Sequence, residues 1–337
     1  MNRSVTRLAT LAVVLTLSLL GGAGNGAHAG EIDERKQITE RFTRLFAAGD
    51  YAALDAWYDK ALQQDTRTAG GHRLANRLVR SIAFGPGPGQ SPADEPYWQA
   101  QQHQATRWLA ARPQSILATI ALSKVYAYQA WSLRDSDAGK SLELNRQGQK
   151  LLLAQSERGR KDPNWWAVLL TQAHNTRMPA KEQRQLAQDA IAAFPQHPDI
   201  YTRIATTRVP QEGGSHKALA DLAGQAVENT KPHEGQSLYA LLYWSVQDQL
   251  APNGQAAFTH RQVDWPRIRA GFDDLVQRHP DPYNINTYAR LACVAAKDKK
   301  ATAEVLQRMG NNIVQQAWSS REEFMGCQAW AGGAAAR

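Results

Sequence analysis

Apolar residues recur at intervals of three and four along most of this chain, the spacing of amphipathic helices. Ile32, Ile38, Phe42, Leu45 and Phe46 form one such face. A Gly49-Asp50 turn follows, and Tyr51, Leu54, Trp57, Tyr58, Ala61 and Leu62 form a second face. The spacing predicts a helix, a tight turn and a helix packed back on the first. A third amphipathic segment, His72 to Phe84, stops at Gly85-Pro86-Gly87-Pro88-Gly89. With Pro92 and Pro96 this cluster makes a loop over 85–96, the strongest break in the chain. It is not a phosphate cradle, because proline removes the amide donors a cradle needs.

From Tyr97 the pattern is helical again, and prolines punctuate it. Pro113, Pro163, Pro198, Pro232 and Pro280 each precede a helix-like segment, at intervals of 50, 35, 34 and 48 residues. Two intervals match the tetratricopeptide period of about 34. Asp162-Pro163-Asn164-Trp165-Trp166, His197-Pro198-Asp199-Ile200-Tyr201 and His279-Pro280-Asp281-Pro282-Tyr283 repeat one device. In it, Asp or His with Pro ends one helix, and Asp or Asn opens the next before its first aromatic residue. The expected fold is all-α, a tetratricopeptide-like array or α-solenoid, with N-terminal helices over 30–84 and a repeat region over 97–337. Near its end, Ile285, Tyr288, Ala289, Ala292 and Ala296 share a face, and Ser320 to Glu323 is a capping box for a last helix.

Composition refines this. Hydrophobic residues are 43% and charged residues 21%, which fits a globular chain of 337 residues. The basic start Arg3 to Arg7, the apolar run Leu8–Leu20 and Ala27-His28-Ala29 read as a signal peptide over 1–29, cleaved after about Ala29. No later run is long enough to span a bilayer, so a periplasmic or secreted protein is expected. Net charge is +8, and about +6 once Arg3 and Arg7 are removed, without the basic stripe of a nucleic-acid binder. Cys293 and Cys327 are the only cysteines. In an oxidising compartment they pair as a disulfide closing the end of the array; the alternative is two buried free thiols.

The pattern Asp264-Trp265, Gly271-Phe272, His279-Pro280, Asn286, Ala289, Ala292-Cys293, Trp318 and Cys327-x-x-Trp330-Ala331 resembles an uncharacterised exported bacterial family. That family is built on the domain of unknown function four-zero-three-four and often carries tetratricopeptide-like helices. Pro210-x-x-Gly213-Gly214-Ser215, with Gly235, Tyr239 and Tyr243-Trp244, is similar to its other hallmark, with Gln211-Glu212 in place of Arg-Trp. The resemblance covers about 162–331, implies a helical fold and export, and carries over no catalytic residue.

No nucleophile elbow, zinc-protease or P-loop signature is present, and no metal or cofactor is expected. Ser215 beside His216 reads as a helix cap, since neighbours on a helix point about 100° apart. Asp273-Asp274 and Glu322-Glu323 read as solvated helix faces, and His197 and His279 as helix ends. Successive residues do not both face a helix's core, so one of Trp165 and Trp166 should point outward. Together with Tyr239, Tyr243 and Trp244 they are the candidate recognition surface; inter-repeat packing is the competing account. The expected function is a non-catalytic module binding or scaffolding a protein or peptide in the cell envelope. The alternatives are an enzyme acting on cell-wall glycan and an immunity-type protein.

Overall fold

A computed structural model describes residues 30–82, 94–251 and 256–332. The expected signal peptide, and most of the 85–96 loop, lie outside them. The described residues are all-α, without a strand. Three helices open the fold: α1 (Glu31–Ala48), α2 (Tyr51–Gln63) and α3 (Leu74–Ser81). Next come α4 (Glu95–Ala111), α5 (Ile116–Leu133), α6 (Ala138–Ala154), the single turn α7 (Ser156–Gly159), α8 (Pro163–Asn175) and α9 (Ala180–Ala193). They are followed by α10 (Pro198–Ala205), α11 (His216–Glu234), α12 (Ser237–Ser245) and the single turn α13 (Gln247–Leu250). The last four are α14 (Trp265–Arg278), α15 (Pro282–Arg290), α16 (Lys299–Met309) and α17 (Arg321–Gly332).

Local chemistry sets most boundaries. Gly49 ends α1 in the left-handed region at φ 71°, and Asp50 caps α2 by accepting from Ala53 N–H at 3.1 Å. Ser115, Asp137, Asp162, Ser215, Asp264, Asp281 and Asp298 cap later helices in the same way. The capping box at Ser320 forms one residue out of register: Ser320 accepts from Glu323 N–H, and Glu323 accepts from Ser319 N–H. Pro232 departs from its expected role. It lies inside the last turn of α11, which runs on to Gly235, so it marks a helix end and not a beginning. The face expected to continue through Ala296 also changes: at Leu291–Ala295 the helix widens to a π-turn, burying Cys293.

From α5 onward helices pack mainly on close neighbours in sequence. α8 lies against α6, α9 and α10; α10 against α11 and α12; α12 against α14; and α15 against α16. The N-terminal segment breaks that rule. It runs past the starts of successive helices and is fastened to each. Tyr58 Oη donates to Asp162 at 2.8 Å, and Asn76 to Asn164 at 3.4 Å. Arg73 donates to Gln196 O at 3.3 Å, Arg80 pairs with Asp199 at 3.4 Å, and Arg67 pairs with Glu234 at 2.7 Å. Glu31 N–H donates to Asp281 at 2.9 Å, and Asn284 to Gly70 O at 3.2 Å. Three of these stations are the Asp-Pro and His-Pro devices read from the sequence.

At the centre of this seam Glu31 is fully buried, held by Arg35 at 2.6 Å, Arg77 at 2.8 Å and Gly70 N–H at 2.9 Å. Burial alone would raise its carboxyl. Arg77, a hydrogen bond from Thr68 and Arg35 together hold it below the ordinary carboxylate range.

The far end is stitched by other means. Asn286 Nδ2 donates to Pro282 O and Asn312 O at 2.8 Å, and its Oδ1 accepts from Val314 N–H and Trp318 Nε1–H at 3.0 Å. All four of its hydrogen-bonding sites are used. The Cys293–Cys327 disulfide ties the π-turn to α17 across 34 residues, worth about 3–4 kcal/mol by loop-closure entropy. Gly271 lets α14 approach α12; a Cβ there would lie 2.6 Å from Gln236 O.

Candidate functional site

The aromatic surface expected at Trp165, Trp166, Tyr239, Tyr243 and Trp244 is not a surface. The first four are at most 3% exposed, and Trp244 is half-buried. α8 is covered on several sides, by α3, α5, α6, α9 and α10, so it buries adjacent positions and the one-face argument fails. Trp165 Nε1–H donates to Leu152 O and Trp166 Nε1–H to Arg160 O, both at 3.1 Å, and the rings meet edge to face. Tyr239 stacks with Tyr243 at 5.2 Å and takes the Arg267 guanidinium on its face at 4.3 Å. Trp244 packs between Phe272 and Tyr283. These residues glue helices together.

The other flagged groups are also structural. Ser215 caps α11, accepting from Ala218 N–H at 3.0 Å, while His216 turns away to stack on His260 at 4.0 Å. Asp273 accepts from Tyr288 Oη at 3.0 Å, and Asp274 from Gln236 N–H at 2.6 Å. His197 is 6% exposed with neither ring nitrogen hydrogen-bonded, and burial pushes it down to about 4, so it is neutral at pH 7. Among the described residues no helix is long and apolar enough to cross a membrane, and no His/Cys/Asp/Glu group is arranged to hold a metal ion.

Besides a space of about 220 Å³ at the seam, lined by Arg67, Arg73 and Glu234 among others, there are two larger cavities among the described residues. The larger, about 530 Å³, lies between α2 and the turns before α5 and α8, lined by Asp55, Tyr58, Asp59, Arg112, Ser115 and Asp162 among others. Burial pushes Asp162 up to about 6 and raises Asp59. A raised carboxyl in a cavity is how a general acid is built, so the donors decide. Asp162 already accepts from Tyr58 Oη, Asn164 N–H and Trp165 N–H. Asp55 accepts from Arg112 at 2.9 Å and Ser115 at 2.6 Å. Both carboxylates are occupied in holding the seam and the helix caps.

The second cavity, about 350 Å³, has the opposite character. Arg177, Arg184, Arg203 and Arg208 all line it, against a single carboxylate, Glu212, which sits 3.5 Å from His174. None of the four guanidiniums makes a hydrogen bond or ion pair among the described residues. Beneath them lie Leu170, Ala173, Ala187 and Ile204, all buried. Burial, then the charge of Arg184, depresses Arg208; burial, then Arg80, depresses Arg203. Like charges are held together here against one carboxylate.

The backbone is built to present them. Arg177 sits in the left-handed region at φ 55°, where glycine would cap α8 without strain. A side chain there costs roughly 1–3 kcal/mol. One wall is the Pro210-x-x-Gly213-Gly214-Ser215 corner. Gly213 has φ 77°, and a Cβ on Gly214 would run into the Arg208 carbonyl, so this pair shapes the turn that carries Arg208. The arginines come from four places in the chain with no common spacing, and sequence reasoning missed them. The corner was visible as a turn, and charge counting adds no signal, since over 177–212 the four arginines are matched by Glu182, Asp189, Asp199 and Glu212.

No family model matches the chain, and no curated protein matches it.

Proposed function

We propose that this chain is an exported, non-catalytic binding module of the cell envelope, and that the arginine-lined cavity between α8, α9 and α10 is where its protein or peptide partner is held. One observation carries the reading: four guanidiniums line an open 350 Å³ space against one carboxylate, Glu212, and none of them is hydrogen-bonded or ion-paired among the described residues. Crowding cations is unfavourable unless something of opposite charge completes the arrangement. The near-neighbour packing from α5 to α17 supports a tetratricopeptide-like array as the frame, with the N-terminal segment as its strap. The disulfide is compatible with export, as is the C-terminal resemblance to the exported family. An enzyme acting on cell-wall glycan needs a free acid–base pair; in the larger cavity Asp55 and Asp162 are engaged elsewhere, which leaves Asp59 without a partner carboxylate.

The test is photo-crosslinking in the cell that makes the protein, from a probe at Gln183 on the cavity wall and a control at exposed Gln147 on α6. One dominant protein adduct from Gln183, absent from Gln147, is expected. Equal, diffuse labelling from both positions would overturn the proposal.

A further inference from the structure

The arginine cavity also says what kind of group fills it. Its charged lining is Arg177, Arg184, Arg203 and Arg208 with His174 and Glu212, a surplus of at least three positive charges. Planar guanidiniums that are unpaired and mutually close match carboxylate or phosphate oxygens, often two at a time. Phosphate sites add backbone N–H donors from a turn or helix start. The Pro210–Ser215 turn on this wall has none to give. Gly213 N–H donates to Pro210 O at 3.1 Å, Gly214 N–H to Val209 O at 3.0 Å and Ser215 N–H to Arg208 O at 2.9 Å. Beneath the cations the lining is aliphatic, which a bare inorganic anion would not use and an amino-acid side chain would. The space is at the small end of ligand cavities, room for a few side chains and not for a protein face.

We infer that the cavity between α8, α9, α10 and the Pro210–Ser215 corner binds an acidic peptide segment in which aspartate or glutamate alternates with aliphatic residues. The inference rests on the binding-module reading and names its ligand. The carboxylates pair with Arg177, Arg184 and Arg208 at the rim and with Arg203 deeper in, and an aliphatic side chain lies over Leu170, Ala187 and Ile204. Arg203 links this cavity to the seam: burial and then Arg80 depress it, Asp199 opposes that shift, and its own charge adds to the burial that depresses Lys124.

The experiment uses the chain from Gly30 and a fluorescein-labelled peptide of alternating Glu and Leu, followed by anisotropy. Saturable binding is expected, weakened several-fold between 50 and 200 mM salt as screening shortens the reach of the charges. Replacing every Glu by Gln should cost at least tenfold, and so should the double variant Arg184→Gln, Arg208→Gln, whose thermal melt serves as the folding control. Equal affinity for the Gln peptide, or for the double variant, overturns the inference. So does binding of inorganic phosphate or pyrophosphate without binding of the peptide. Failure of the wider reading looks different. Arginine-dependent peptide binding with no adduct from Gln183 in the cell would keep the site and remove the protein partner. An adduct that survives both substitutions would keep the partner and remove this ligand.

Discussion

Arginine does two different jobs in this molecule, and the contrast separates structure from function. At the seam, Arg35 and Arg77 close on Glu31, which is fully buried and accepts from both as well as from Gly70 N–H. In the α8–α10 cavity, four arginines face one carboxylate, Glu212, and none of them is ion-paired among the described residues. The residue type is the same and so is the tendency to cluster. What differs is whether the chain supplies its own anion. Where it does, the cluster holds the two ends of the fold together. Where it supplies too few, we propose that the anion comes from another molecule.

The sharpest way to break the comparison is at Glu31. Glu31→Gln leaves Arg77 and Arg35 facing a neutral amide, and removing one partner of a buried pair costs about 3–5 kcal/mol. Denaturant unfolding should show that loss, and a change under 1 kcal/mol would mean the seam is not held by charge. Acid is the next largest lever. His197 is pushed down to about 4 in the fold and titrates near its ordinary 6.5 when unfolded. Between those values the unfolded chain binds a proton that the fold refuses. Stability therefore falls as pH drops through this window, by about 2 kcal/mol at pH 5. His72 and His279 are also lowered by burial and add to the slope. Unfolding midpoints at pH 7 and 5 measure it, and His197→Gln should flatten it. The cavity's guanidiniums keep their charge throughout, so affinity for an acidic peptide should not follow stability downward.

Smaller effects sharpen the other half of the contrast. Arg177→Gly should raise stability by about 0.5–1 kcal/mol, because it relieves a left-handed side chain, while weakening the peptide. A loss in thermal melting would show that Arg177 serves the fold. Arg184→Gln and Arg208→Gln should each stay within about 0.5 kcal/mol of the parent, since neither makes a bond within the protein to lose.

Much of the fold was legible where one residue governs one boundary. Gly49-Asp50, Asp281 and Ser320 read correctly because caps act over three or four residues, whereas at Asp162-Pro163-Asn164 the cap is Asp162 and Asn164 lies inside the helix. Pro232 was misread because spacing alone does not tell a proline in a helix's last turn from one opening the next helix. The Trp165-Trp166 pair misled because counting faces assumes one-sided burial, and the neighbours surrounding α8 are set by tertiary packing. The cavity was illegible for a different reason. Its four arginines at 177, 184, 203 and 208 meet only after α8, α9 and α10 have packed, and nothing in their spacing foretells it.

The bond from Glu31 N–H to Asp281 spans 250 residues, and this sets an order of events. At a synthesis rate of roughly 5–20 residues per second, the first helix waits about 12–50 s for the residue that anchors it. Through that interval Phe42 and Phe46 have the cover of Trp108 in α4, and Glu31 has its cations but not the Asp281 that receives its amide. The amide that opens α1 is therefore among the last groups of the fold to find its acceptor, long after the packing of α1 on α3 and α4 is possible.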